Sequence, residues 1–188
     1  VVSVVLTGKV HIGKTTVCRA VVELVRERGY CVHGILTPPI LDARGTRLGI
    51  EAVDLASELR RELARVWRGQ RRQEEDWDWS GPQIGPYFFD AAVLEWAQDT
   101  ISRGIALGCD LLVIDEIGRL ELEQGVGFSQ VLDLLGTGVV VRSLLVVRAS
   151  LLQAFRQRLP GLEFLTLTVT PDNLADLSTE IAARLFLS

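Results

Sequence analysis

The residues that could do chemistry in this chain fall in two short stretches. The first, Gly8-Lys9-Val10-His11-Ile12-Gly13-Lys14-Thr15 with Thr16 behind it, sets two glycines, a lysine and a hydroxyl at the spacing of a phosphate-binding loop. Gly8 and Gly13 let the backbone turn its N–H groups inward around phosphate oxygens, and the following helix aims its positive end at them. Lys14 then reaches the β and γ phosphates, and the Thr15 hydroxyl can ligate Mg2+. Gly8, Lys9, Val10, His11, Ile12, Gly13, Lys14, Thr15 and Thr16 are all candidate contacts to the phosphates of a nucleotide. The competing reading is an ordinary strand-to-helix turn. The apolar run Val1 to Leu6 before the loop and the helical pattern Thr16 to Arg28 after it supply the context that a phosphate site requires.

The second stretch is Leu111-Leu112-Val113-Ile114-Asp115-Glu116, an apolar run that reads as a strand buried on both faces and ends in two carboxylates. Open parallel sheets place their ligands at the carboxyl ends of strands, so Asp115 is positioned to hold the metal that Thr15 also touches. Glu116, one residue on, is positioned to orient and deprotonate a water aimed at the γ phosphate. The bland alternative is that both acids cap the next turn. Thr15 and Asp115 are thus the candidate metal residues, and Glu116 and Lys14 the candidate catalytic ones.

The elements that must position these groups alternate along the chain. Cys31 to Thr37 reads as a strand stopped by Pro38-Pro39, and Leu41 to Ala56 as a hairpin or meander turning at Ala43-Arg44-Gly45. Ser57 to Arg68 is ambiguous between a strand pair and a short helix, and Gln70 to Gly85 reads as a long surface loop. Asp90 is expected to cap a helix to about Gly104, followed by the Leu111 strand and a helix near Phe128 to Leu135. Ser143 to Val147 and Phe164 to Val169 read as further strands. Ser150 is expected to cap a helix to Leu159, and Thr170-Pro171 to open the closing helix. Such alternation implies an α/β fold in three layers, with a mainly parallel central sheet covered on both faces.

Composition bounds the partners. The chain has 188 residues, 48% of them apolar, and a net charge of −4. That is enough for one sizeable core, so residues 1–188 are expected to form a single domain. No overall basic field draws it to nucleic acid, no apolar run approaches a membrane span, and a cytoplasmic, soluble protein is expected. Cys18, Cys31 and Cys109 read as small core residues of a reducing compartment, unlike a disulfide framework or a zinc site. The arginines Arg60, Arg61, Arg65, Arg68, Arg71 and Arg72 are followed by Glu74, Glu75, Asp76 and Asp78, so the cluster reads as self-paired and solvated, without a nucleic-acid recognition motif. Trp77 and Trp79 read as packing onto the sheet edge, with stacking on a base as the alternative; Tyr87, Phe88 and Phe89 read as anchors into the core, and His33 as structural.

At Asp115-Glu116-Ile117-Gly118-Arg119-Leu120-Glu121 the sequence resembles the thermostable, or cancer-related, nucleoside-triphosphatase family. The likeness extends to Gly34-Ile35-Leu36-Thr37, to Arg47-Leu48-Gly49-Ile50 with Val53-Asp54-Leu55, and to Ile84-Gly85-Pro86-Tyr87-Phe88-Phe89, in the same order along most of the chain. The resemblance implies a RecA-like sheet with an added antiparallel hairpin and Mg2+-dependent hydrolysis of ATP, GTP and other nucleoside triphosphates with little choice of base. It also implies an active site of Lys14, Thr15, Asp115 and Glu116. His11 departs from it, standing where the family often has a third glycine, and reads as a solvent-facing bystander or a phosphate contact. Glu121 could assist Glu116, hydrogen-bond a loop or cap structure, and a supporting role is expected. Arg119 and Arg148 are candidates for an extra cation near the γ phosphate.

Lys9 stands where the partitioning-type, deviant phosphate-loop ATPases carry a lysine that reaches a dimer partner's nucleotide, although Val10 and His11 replace that class's two glycines. Three functions therefore stay open: a nucleoside-triphosphatase, a small-molecule or nucleotide kinase with its acceptor pocket in the Gln70 to Gly85 loop, and a nucleotide-gated switch or dimer that binds a protein partner. Adjacent Asp115 and Glu116 favour the first, because a base aimed at water needs no acceptor.

Overall fold

The computed structural model describes residues 2–67 and 80–186. The chain runs β1 (Val2–Gly8), α1 (Lys14–Glu27), β2 (Val32–Leu36), β3 (Pro39–Leu41), β4 (Arg47–Asp54), β5 (Arg60–Val66), β6 (Gln83–Ile84) and β7 (Tyr87–Phe89). It continues through α2 (Ala91–Ala106), β8 (Leu111–Ile117), α3 (Arg119–Leu122), α4 (Ser129–Gly136), β9 (Arg142–Val147), α5 (Leu152–Arg158), β10 (Leu165–Val169) and α6 (Leu177–Phe186). One sheet carries the strands in the order β10-β1-β9-β8-β2-β4-β5-β7-β6, with β3 paired to β4. From β10 to β2 the pairing is parallel, and beyond β2 it is antiparallel. The expected α/β sheet is therefore present, and its antiparallel addition runs through β3 to β7, well beyond one hairpin.

Burial on two faces explains the apolar runs. Within β8, Leu111 and Val113 face the layer made by α1 and α6, while Leu112 and Ile114 face α2 and α4. All four are fully buried. Side chains alternate across a strand, so β8, packed on both sides, stays apolar on both faces until Asp115. Helix α1 answers with Val17, Cys18, Val21, Val22 and Val25 on its sheet-facing side, and α2 with Val93, Ala97, Ile101 and Ile105. Asp90 caps α2 as expected, its side chain accepting from the N–H groups of Ala92 at 2.9 Å and Val93 at 3.2 Å.

Several expectations need correction. Ser150 lies inside a single 3₁₀ turn, Ala149–Leu151, and α5 begins only at Leu152 without a side-chain cap. Thr170-Pro171 does not open the last helix, which starts at Leu177. The Asn173 side chain instead accepts from Thr170 N–H and donates to the Thr168 carbonyl, both at 2.9 Å, which holds the intervening turn. Within the ambiguous Ser57 to Arg68 segment, Arg60–Val66 forms the single strand β5, and near the end of the expected loop Gln83–Ile84 pairs with β7 as a strand. Cys18 is buried, whereas Cys31 is exposed and so is no core residue. Residues 68–79, with Trp77, Trp79, Arg68, Arg71, Arg72 and the acids Glu74 to Asp78, lie outside the described residues. Arg60 pairs with Glu51 at 2.9 Å, Arg65 with Glu62 at 2.5 Å, and Arg61 stacks over Trp96, so these three arginines find partners among the described residues. Among the described residues no helix is long and apolar enough to cross a membrane.

Candidate active site

Parallel strands share a direction, so the carboxyl ends of β1, β2, β8 and β9 open onto one edge. β1 delivers the phosphate loop, β2 delivers Thr37, β8 delivers Asp115 and Glu116, and β9 delivers Arg148. These groups line one pocket of about 490 Å³ together with Arg47, Ala149 and Ser150. Every predicted loop residue lines that pocket except Ile12, whose side chain packs against the core beneath α1 and anchors the loop.

The loop closes as its glycines demand. Gly8 has φ +145° and Gly13 φ +104°, and a Cβ at Gly13 would stand 3.0 Å from Leu174. His11 also adopts positive φ, at +64°, and is exposed. Its Nδ1 lies 3.4 Å from the Arg47 guanidinium. Lys9 and Val10 are exposed as well. The Lys14 ammonium donates to the carbonyls of Gly8 at 3.2 Å and Lys9 at 2.8 Å, which folds it back over the loop. Burial pulls its pKa below the ordinary value, against the opposing pull of Glu116 and Asp115.

Asp115 is 2% exposed, and burial pushes its pKa up to about 6. The Thr15 hydroxyl and the Thr37 N–H, the latter at 3.2 Å, hydrogen-bond its carboxylate and oppose that rise. A buried carboxylate touching a helix-start hydroxyl is an all-oxygen set suited to Mg2+, which keeps waters and takes phosphate oxygens rather than a protein cage. Among the described residues no cluster of three or more His, Cys, Asp or Glu gathers elsewhere as a rival metal site.

Glu116 sits at an irregularity in its strand. The β8–β9 register runs Asp115 to Val146 and then Ile117 to Val147, so Glu116 is an extra residue, as in a β-bulge. Alternation places Asp115 on the α1 side with Leu111 and Val113 and Glu116 on the α2 side, and the bulge keeps the buried Ile117 on the α2 side as well. Glu116 pairs with Arg148, one residue past β9. Of the two candidate cations, only Arg148 lines the phosphate pocket; Arg119 pairs with Glu123 at 3.4 Å. Glu121 is buried and accepts from the N–H groups of Gly118 at 2.8 Å and Phe128 at 3.3 Å, a supporting role that fixes the chain just past Glu116. Gly127 lies so close to that carboxylate that a Cβ there would collide with it.

Sequence reasoning missed Arg47. Leu36 pairs with Val53, so the antiparallel strand β4 begins well beyond the end of β2 and overhangs the phosphate edge. Arg47 opens β4, and its guanidinium touches His11 and the Tyr87 hydroxyl, the latter at 3.2 Å. No local motif marks an arginine that reaches its site through strand direction.

Residues 3–182 match the model of a family described as NTPase. The nucleoside-triphosphatase THEP1 of Methanosarcina barkeri is 33% identical over 184 residues, covering 96% of this chain and 95% of that protein. Its counterpart from Methanopyrus kandleri is 40% identical over 121 residues, 64% of this chain and 60% of that protein, so the match spans about three fifths of that relative's length. The solution structure of a human cancer-related nucleoside triphosphatase has the same fold, with a TM-score of 0.70 at 24% identity over 100% of this chain and 99% of that one. The likeness read from the Asp115 to Glu121 motif is thus borne out, and the chain belongs to this NTPase family.

Proposed function

We propose that the chain hydrolyses nucleoside triphosphates, ATP and GTP among them, to diphosphate and phosphate with Mg2+. The observation that carries this reading is the convergence of Lys14, Thr15, Asp115, Glu116 and Arg148 on one pocket. In an in-line displacement the protein chiefly positions reactants and offsets charge. The loop N–H groups and the start of α1 cradle the phosphates, and Lys14 exchanges its carbonyl partners for β and γ oxygens. Thr15 and Asp115 would hold the Mg2+, whose chemistry is to neutralise charge on the β and γ phosphates. Glu116 orients a water and accepts its proton, and Arg148, already in contact with Glu116, lies within reach of the transferred group. Each of these groups addresses the triphosphate or its metal, which all nucleoside triphosphates share, and this supports broad base tolerance.

The test is phosphate release from ATP, GTP, CTP and UTP with Mg2+ and no added acceptor. All four are expected to turn over at rates within about tenfold of one another, since no base contact enters the rate. Release confined to one base would overturn the breadth, and nucleotide binding with no release would overturn hydrolysis.

A further inference from the structure

A second pocket, of about 70 Å³, lies on the far side of Glu116 and Arg148 from the phosphate loop, and both residues line it as well as the first. Its walls are apolar: Leu63 from β5, Ile84 from β6, Phe89 from β7, Leu94 from α2 and Phe128 before α4. By this measure one water needs only ~10–15 Å³, so the space holds a body of several heavy atoms. The polar groups at its mouth are unequal. Glu121 spends its carboxylate on two backbone N–H groups, and Arg119 turns to Glu123. The Tyr87 hydroxyl meets Arg47, and Glu116 and Arg148, with Thr37, form the polar end shared with the phosphate pocket, the pair being the one assigned above to the γ phosphate.

A hydrolase needs room only for a water at Glu116, and the phosphate pocket already supplies it. An apolar hole beside a base forfeits packing contacts for no gain in hydrolysis. Strand alternation sets Glu116 on the face opposite Asp115, the face on which this hole lies. Apolar walls with one polar end select a molecule with an apolar body and a hydroxyl at its tip.

We infer that this pocket is a phosphoryl-acceptor subsite for a small alcohol with an apolar body. The inference rests on the proposed phosphate chemistry and changes only the nucleophile. The alcohol oxygen bonds to the γ phosphorus as the bond from that phosphorus to the β–γ bridging oxygen breaks. The hydroxyl proton passes to Glu116 and then to solvent, and the products are a phosphate monoester and a nucleoside diphosphate. The acceptor site is thus built from β5 to β7 and α2, around the antiparallel strands.

The experiment incubates the whole chain with Mg2+ and ATP plus benzyl alcohol, 3-methylbutanol or glycerol, and resolves monoester from inorganic phosphate by phosphorus NMR. Saturation-transfer NMR reads binding of benzyl alcohol in parallel. The two apolar alcohols are expected to bind and to divert a measurable share of phosphate into monoester, glycerol far less. Ile84→Trp fills the pocket and is expected to lower the ratio of monoester to phosphate about tenfold. The wild-type binding measurement decides the matter alone if that variant fails to fold. Phosphate release with no binding and no monoester from either apolar alcohol would overturn the inference and leave hydrolysis standing. Equal transfer to glycerol would overturn the apolar subsite. Monoester with alcohol but no phosphate without it would support the subsite and overturn simple hydrolysis, while neither product would overturn both.

Discussion

The two halves of the sheet obey different rules and contribute different chemistry. The parallel half runs from β10 to β2, its inner strands β1, β9, β8 and β2 are packed on both faces, and its strands all end at one edge; that edge carries Lys14, Thr15, Asp115, Glu116 and Arg148. The antiparallel half has mixed burial along its strands and brings groups to the site through strand overhang. It supplies Arg47 from the start of β4, and Leu63, Ile84 and Phe89 around the second pocket. Phosphate handling thus resides where the fold leaves least freedom, and the surroundings of the phosphate where it leaves more.

Substitutions can break this division, and the largest effects are expected in the parallel half. Lys14→Ala should lower kcat/KM about 10³-fold and weaken nucleotide binding as well, because the ammonium meets phosphate in both ground and transition states. A loss confined to kcat, with affinity intact, would show that the loop backbone alone binds the phosphates. Arg148→Ala should cost about 10²-fold in kcat with a smaller change in KM, if its charge serves the transferring group. Turnover at the wild-type rate would reduce the arginine to a surface partner of Glu116.

Asp115 sharpens the comparison through stability rather than rate. Its pKa in the folded chain, about 6, lies above the ordinary 3.8 because the carboxylate is buried. A carboxyl raised in this way stabilises the fold when protonated. The contribution is fully present below about 3.8 and is lost as pH rises through about 6. Denaturant unfolding without metal should therefore show wild type losing of order 2 kcal/mol relative to Asp115→Asn between about pH 4 and pH 7. Parallel curves for the two proteins would mean that the Thr15 and Thr37 hydrogen bonds already cancel the burial. The smallest effect is expected from the antiparallel half: Arg47→Ala should raise KM about tenfold and leave kcat nearly unchanged, the mark of a group that helps hold the substrate equally throughout. A fall in kcat alone would instead place Arg47 among the groups that meet the transition state.

The same contrast explains what could be read from the residues. Strands buried on both faces write themselves as unbroken apolar runs, so β1, β8 and β9 were legible, and the carboxyl-end rule then located Asp115 and Glu116. The segment that became β5 was not, because Arg60-Arg61-Glu62 offers neither a helical stripe nor a clean alternation, and its strand state is decided by pairing with β4 and β7. The Glu116–Arg148 pair was out of reach for a similar reason: it depends on β8 lying beside β9. Of the Gln70 to Gly85 segment, in which a kinase's acceptor pocket was expected, Ile84 alone among the described residues lines the second cavity, with Leu63, Phe89, Leu94 and Phe128 drawn from elsewhere.

The most direct test of Glu116 as the base is single-turnover release of phosphate from ATP by Glu116→Gln, with nucleotide affinity measured on the same protein. Retained affinity with turnover reduced about 10²- to 10⁴-fold is the expected result, since the amide keeps the shape of the site but accepts no proton. Turnover near the wild-type rate would contradict the account, because Glu121 is buried and bound to the N–H groups of Gly118 and Phe128, leaving the water without the base assigned to it here.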